Sequence, residues 1–351
     1  MRIRNSVVVI TGAASGIGRA TALRFARRHV DLVLASRRVE ALESLVSECT
    51  ALGSRAIAVP TDTSEYDAVQ ELASRAVEEF GRIDVWVNNA AVSFFSPFLD
   101  VPMRDFQRVI DVNLMGYVHG ARAALERMQD QGAGVLVNVA SIVGEVPQPY
   151  TSAYSVSKAA VRALGVSLRS ELTLDRKKRI HVCTVLPPTI DTPFFDHAAN
   201  YTGRRAVAMP PVYSADRVAK AILGVVDSPT REVAVGRIGR SMVRQHRLMP
   251  GRLEKLMAHQ VENTHLSKKE SAEDSTGNLY GPSLDPVNAR VSGGWGGRRR
   301  TVQRTVQRTV VGSALLGAAL GALVFAEPLK TGVPVLAGRA ANLGRELLGA
   351  D

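Results

Sequence analysis

Two side chains stand at a spacing with chemical use. Tyr154 and Lys158 occur in Tyr154-Ser155-Val156-Ser157-Lys158, inside a stretch whose apolar residues recur with helical period. Residues four apart share one helix face. A free tyrosine titrates at about 10, too high for ready proton exchange at neutral pH. A neighbouring ammonium stabilises the phenolate and brings it within reach. Such pairs also arise by chance on helix surfaces, so their surroundings decide. Ser141 follows a short apolar run, Val135–Val139, and its hydroxyl should reach the rim where the strands of open α/β sheets end and ligands bind. Asn113 is a polar residue among apolar neighbours in Asp111-Val112-Asn113-Leu114.

The elements that must position these groups are legible. Seven short apolar runs (Val7–Ile10, Leu32–Ala35, Ala56–Val59, Val85–Val87, Val135–Val139, His181–Leu186 and Glu232–Val235) alternate with helical patterns. The helical stretches include Gly18–Arg28, Val39–Leu52, Glu65–Phe80, Arg104–Met128, Ala153–Thr173 and Ala215–Val226. This alternation predicts an α/β fold, a Rossmann-like doubly wound parallel sheet of about seven strands with right-handed crossovers.

The first strand runs into Thr11-Gly12-Ala13-Ala14-Ser15-Gly16-Ile17-Gly18. Glycines between strand and helix let the backbone turn tightly and approach a pyrophosphate, which the helix N-terminus then attracts. The second strand ends in Ser36-Arg37-Arg38, where a dinucleotide fold often places an acid that accepts from the ribose 2′-OH. Two guanidinium groups favour a 2′-phosphate instead, so NADP(H) is expected over NAD(H).

In the order and spacing of these motifs, residues 5–235 resemble the short-chain dehydrogenase/reductase family. The matching positions are Thr11–Gly18, Asp62-Thr63, Asn88-Asn89-Ala90-Ala91, Asn113, Ser141, and Tyr154 with Lys158. Ala91 stands where the family has glycine, and Pro187-Pro188 replaces its Pro-Gly, stiffening the backbone beside the nicotinamide position. The resemblance implies that Tyr154 is the general acid/base, that Lys158 lowers its pKa and holds the nicotinamide ribose, and that Ser141 binds the substrate oxygen. Asn113 would support a water-linked proton path to Lys158. Gly12, Ser15, Gly16, Ile17 and Gly18 would hold the pyrophosphate and Ser36, Arg37 and Arg38 the adenosine ribose. Asp62 and Thr63 would bracket the adenine, Asn89 would lie along the cofactor, and Ile190 and Thr192 would reach its nicotinamide end. The implied reaction is interconversion of an alcohol with a ketone or aldehyde. The alternative, a non-catalytic NADP(H)-binding sensor or scaffold, would fit loss of Tyr154, Lys158 or Ser141, and all three are present. The family also implies a homodimer or homotetramer built on the helices at Arg104–Met128 and Ala153–Thr173.

A substrate loop is expected at Pro193–Tyr213, with Phe194, Phe195, Tyr201, Met209 and Tyr213, near Phe94, Phe95 and Phe98. These side chains favour an apolar, lipid-like alcohol or carbonyl compound. Arg204-Arg205 reads as a solvated pair, the alternative being contact with a substrate carboxylate or thioester phosphate. Cys49 and Cys183, the two cysteines, offer no metal spacing and suit a reducing, cytoplasmic compartment.

Of the net charge of +11, residues 1–230 carry +3 (26 Lys+Arg, 23 Asp+Glu) and residues 231–351 carry +8 (18 and 10). The basic excess suggests an anionic surface; the interleaved aromatics of a single-strand nucleic-acid binder are missing, so no nucleic acid is expected. Arg237–Val261 reads as a basic helical segment interrupted at Pro250-Gly251. The catalytic domain is therefore expected over 1–260, a flexible Gly/Ser/Asp/Pro-rich linker over 261–297, and a basic-hydrophobic tail over 298–351. In that tail, Val310–Ala326 carries no charge. As a helix it spans roughly 25 Å against about 30 Å of bilayer core. With its preceding arginines, 298–326 is a candidate membrane anchor, spanning the bilayer or lying on its surface; the alternative is a helix packed on protein.

Overall fold

The structure, a computed structural model, describes residue 3, residues 5–282 and residues 289–296. The seven runs all form strands: β1 (Val7–Thr11), β2 (Asp31–Ser36), β3 (Ala56–Pro60), β4 (Val85–Asn88), β5 (Gly134–Val139), β6 (Ile180–Leu186) and β7 (Glu232–Ala234). They pair in parallel in the order β7-β6-β5-β4-β1-β2-β3. Chain order reverses between β1 and β4, and this switch point opens a crevice at the strands' carboxyl ends.

The strand residues explain why both faces are covered. In β1, Val8 and Ile10 enter one core with Leu32 and Leu34 of β2, while Val7 and Val9 enter the opposite core with Val33 and Ala35. A strand alternating between two cores must be apolar throughout. The first core is roofed by α1 (Gly16–Ala26), α2 (Val39–Ala51) and, after β6, α7 (Ala215–Asp227). The second lies under α3 (Tyr66–Phe80), α5 (Gly116–Gln131) and α6 (Ser152–Leu174), where Trp86 is fully buried.

The stretch expected as one helix, Arg104–Met128, is α4 (Met103–Ile110), a π-helical turn at Asp111–Met115 and then α5. Single π turns recur at functional sites, and this one carries Asn113. The basic segment forms α8 (Arg237–Leu248) and α9 (Pro250–Thr264), with Pro250 at the first helical position, where a missing N–H costs nothing.

The expected boundary near residue 260 is not where the body ends. Beyond α9, Leu266–Ser271 pairs antiparallel with Arg204–Ala206, Asn200 bridges Ser275, and Leu266 and Leu279 are buried. The described residues of the segment expected as a linker, 261–282 and 289–296, are thus built into the fold. Its composition misled because it docks mainly through backbone groups, which leave no apolar pattern to read. Among the described residues no helix is long and apolar enough to cross a membrane; the candidate anchor at 298–326 lies outside them.

Candidate active site

Ser141 leaves the end of β5 and caps the short turn Ile142–Gly144, its Oγ accepting from the Val143 N–H at 3.2 Å. The Ser141 hydroxyl donates to the Pro187 carbonyl at 3.4 Å and stands close enough to the Tyr154 phenol to favour its ionised form. Tyr154 stands on the first turns of α6, its ring 5.6 Å from that of Phe194. Burial pushes the Tyr154 phenol up to about 12, opposed by the Ser141 contact.

One turn further on, Lys158 is 1% exposed. Its Nζ lies 5.6 Å from the Tyr154 ring centre and donates to the Tyr117 hydroxyl at 2.9 Å and the Val139 carbonyl at 3.0 Å. Burial pushes the Lys158 ammonium down to about 7. Serine, tyrosine and lysine therefore converge at the carboxyl end of β5. Asn113 sits behind them, fully buried. Its Oδ1 accepts from the Val92 N–H at 2.8 Å and its Nδ2 donates to the Val92 carbonyl at 2.9 Å and to Ser157 Oγ at 3.3 Å. Its side chain ties the loop after β4 to α6.

The glycine turn has the shape of a phosphate cradle. Gly12 adopts φ +64°, and a Cβ there would stand 2.7 Å from the Ala90 Cα. At Gly18 a Cβ would stand 2.2 Å from the Gly12 carbonyl, so only glycine lets α1 sit this close to β1. Asn89 Nδ2 donates to the Thr11 and Gly12 carbonyls at 2.9 and 3.2 Å, bracing the turn. Ser15, Gly16 and Ile17 line the cleft beside the start of α1, as do Ser36, Arg37, Arg38, Asp62, Thr63, Asn89, Ala91, Pro188, Ile190 and Thr192. Every cofactor position expected from sequence except Gly18, which acts by packing, thus faces one continuous cleft that also reaches Ser141, Tyr154 and Lys158. These residues fit a dinucleotide: bare backbone at the phosphates, an acid and threonine at the adenine end, and the proton-transfer groups at the other.

At the adenine end, Arg37 donates to the Asn278 and Leu279 carbonyls at 2.6 and 3.2 Å and lies 3.9 Å from Asp62. Arg108, which sequence reasoning did not single out, donates to the same Leu279 carbonyl at 2.9 Å and to Asp62 at 2.6 Å. Three hydrogen bonds from Ser64 and Arg108 hold the Asp62 carboxyl below its usual range against the opposing effect of burial. At the phosphate turn, the Gly16 N–H donates to the Arg290 carbonyl at 3.0 Å. Asp191 anchors the same segment through Ser292, Gly293 and Trp295. The C-terminal segment therefore meets both ends of the cofactor cleft.

The far wall is apolar. Phe95, Val146, Phe194, Phe195, Met209, Met242 and Met257 line it, with His197 and His265. Met242 and Met257 come from α8 and α9, which sequence reasoning had assigned no place at the site. Phe94 is buried against Phe106 instead, and Phe98 is 65% exposed. Tyr201 bonds Asp105. Arg204 and Arg205 each bind a carboxylate of the C-terminal region, Glu262 at 2.6 Å and Glu270 at 3.0 Å; Arg205 is exposed, as expected, while Arg204 is half-buried.

Comparison with known proteins agrees with this geometry. The family model described as short chain dehydrogenase matches residues 6–201. The chain belongs to the short-chain dehydrogenase/reductase family. It is 33% identical over 296 residues to an oxidoreductase of Bacillus subtilis, YxnA, covering 84% of this chain and 83% of that one. It is 32% identical over 212 residues to a 3-oxoacyl-[acyl-carrier-protein] reductase of Thermotoga maritima, covering 60% and 85%. Among solved structures, a family member from Burkholderia phymatum in complex with NAD superposes with a TM-score of 0.66 at 28% identity, covering 72% of this chain and 97% of that one. An alcohol dehydrogenase from Thermococcus sibiricus complexed with 5-hydroxy-NADP gives 0.58 at 27%, covering 66% and 95%. The protein is an oxidoreductase of this family, acting on CH–OH and C=O groups with NAD(P).

Proposed function

We propose that the chain interconverts an apolar secondary alcohol and its ketone, or a primary alcohol and its aldehyde, with NADP(H). The observation that carries this reading is the convergence of Ser141, Tyr154 and Lys158 where a dinucleotide cleft meets a chamber walled by phenylalanine and methionine. Bound nicotinamide supplies the hydride in reduction and takes it in oxidation. Tyr154 gives its phenolic proton to the carbonyl oxygen as charge develops there, or takes the proton of the alcohol. The Ser141 hydroxyl, beside the phenol, orients that oxygen and stabilises its charge. Lys158 in its charged form favours the phenolate and offers an N–H toward the ribose. Asn113 holds α6 in register with the loop after β4.

The NADP preference is supported by Ser36 at the usual acidic position and by Arg37, Arg38 and Arg108 at that end of the cleft. The apolar substrate is supported by the chamber walls. The tail at 298–326 fits this reading as an element of location, holding the enzyme near lipid.

The test is turnover on a panel of medium-chain secondary alcohols with NADP⁺ and NAD⁺ in parallel. Activity should be higher with NADP⁺ and with the longer alkyl chains. Tyr154→Phe should lower kcat by about 10²- to 10⁴-fold, the usual worth of a positioned acid/base. Near-wild-type turnover in that variant would overturn the assignment.

A further inference from the structure

Lys158 is fully enclosed, and among the described residues no carboxylate pairs with it. The groups that meet its ammonium are the Tyr117 hydroxyl from α5 and the Val139 carbonyl from the end of β5. Tyr117 is itself 1% exposed, and its hydroxyl donates to that same Val139 carbonyl at 2.8 Å. Its single proton is thus committed. The oxygen lone pairs are what remain for Lys158, so Tyr117 meets the ammonium as an acceptor. The ring adds to this, with Nζ 4.4 Å from its centre.

We propose that Tyr117 is a positioning residue for the reaction: its hydroxyl holds the Lys158 ammonium in its charged form and fixed orientation. This rests on the reading of Tyr154 and Lys158 as the proton-transfer pair. An ammonium has three N–H groups. Tyr117 and Val139 take two, leaving the third for the cleft, where the phenol of Tyr154 and a cofactor ribose would lie. A buried cation costs a great deal unless it is hydrogen-bonded, so each acceptor bears on whether Lys158 is charged at working pH. Tyr117 does not conduct protons onward, because its own proton ends on a backbone carbonyl. The titratable groups facing Lys158 are Tyr117 from α5 and Tyr154 from its own helix; β5 contributes the Val139 carbonyl, and the loop after it the neutral Ser141.

The direction of the effect follows. Without the Tyr117 oxygen the ammonium is less favoured, Lys158 loses charge more readily, and the Tyr154 phenolate loses support. The test is the pH profile of kcat/KM for alcohol oxidation in Tyr117→Phe, which keeps the ring and removes only the hydroxyl. The expected result is an acidic limb moved to higher pH by about one unit, and a kcat at pH 7 reduced about ten-fold. KM for the cofactor should stay within about two-fold, because the N–H facing the cleft remains. Tyr117→Leu, which removes ring and hydroxyl together, should shift the limb at least as far. An unshifted limb in Tyr117→Phe, or a shift in the Leu variant alone, would overturn the proposal. A lowered melting temperature with an unchanged limb would do so as well, since it would mean that the hydroxyl only packs. Tyr154→Phe separates this outcome from failure of the underlying reading: it should lower kcat by about 10²- to 10⁴-fold whatever Tyr117 does.

Discussion

At the residue scale, the proposed proton-transfer pair was legible because its two members share one helix face, while the groups around it were not. Nothing in the sequence near Tyr117 marks it as a partner of a lysine 41 positions away; only the fold brings α5, β5 and α6 together. The same enclosure has a thermodynamic consequence. Lys158 titrates at about 7 in the folded chain against 10.5 for a free lysine. Between those values the unfolded chain binds a proton that the folded chain does not. Unfolding then takes up a proton, and stability rises with pH across the window. Below pH 7 both states are protonated and the cost of burying the cation is paid in full. Tyr154 works oppositely and higher up: pushed to about 12 from 10, it lowers stability as pH rises between those values. Urea unfolding of the cofactor-free wild type and of Lys158→Met should therefore differ in slope from pH 7 to 9. The wild type should gain relative to the variant by up to about 1.4 kcal/mol per pH unit. Parallel curves would mean that Lys158 keeps its ordinary proton affinity in the fold.

At the element scale, strands and their covering helices were readable because each must satisfy a strict apolar pattern. The segment 262–296 obeys no such pattern. Polar and glycine-rich, it reads as a tether, yet its carbonyls at Asn278, Leu279 and Arg290 bind Arg37, Arg108 and the Gly16 N–H. Backbone acceptors carry no residue-type signature, so only Leu266, Leu279 and Trp295 could have hinted at docking. Glycine is required at Gly277, where φ is +50° and a Cβ would stand 2.2 Å from the His197 carbonyl. Gly277→Val should lift the neighbouring Asn278 and Leu279 from the cleft wall. Arg37 and Arg108 would then lose fixed acceptors and their orientation. NADPH affinity, measured by fluorescence titration, should fall about ten-fold, roughly the worth of one hydrogen bond to a charged group. An unchanged dissociation constant would reduce the segment to a cover with no part in binding. The π turn at Asp111–Met115 escaped sequence reading for a related reason: its apolar spacing passes for one continuous helix, and the extra residue shows only in the hydrogen bonds.

At the scale of the whole molecule, α5 and α6 cover one core, and among the described residues nothing packs over the exposed side chains of α6. On α6, Ala153, Val161 and Leu172 are buried, but Val156, Val166 and Leu174 are 53%, 48% and 81% exposed, and Met115, just before α5, is 40% exposed. Scattered exposed apolar residues are ordinary on a protein surface. Here they lie on the helices through which members of this family are expected to associate, and an isologous interface would bury each of them twice, once per copy. The proposed catalytic pair stands on the same α6, with Tyr154 turned inward two residues from Val156. Self-association would thus clamp the helix that carries the chemistry. Val156→Asp with Val166→Asp places two charges per subunit in that contact, and a buried unpaired charge is costly enough to split a modest interface. Sedimentation velocity of the full chain should show the wild type as a dimer or tetramer and the double variant as a lighter species. Thermal stability of the variant should then depend less on protein concentration, because dissociation no longer precedes unfolding. If the double variant sediments as the wild type does, the interface lies on another face and α6 is held by its own packing alone.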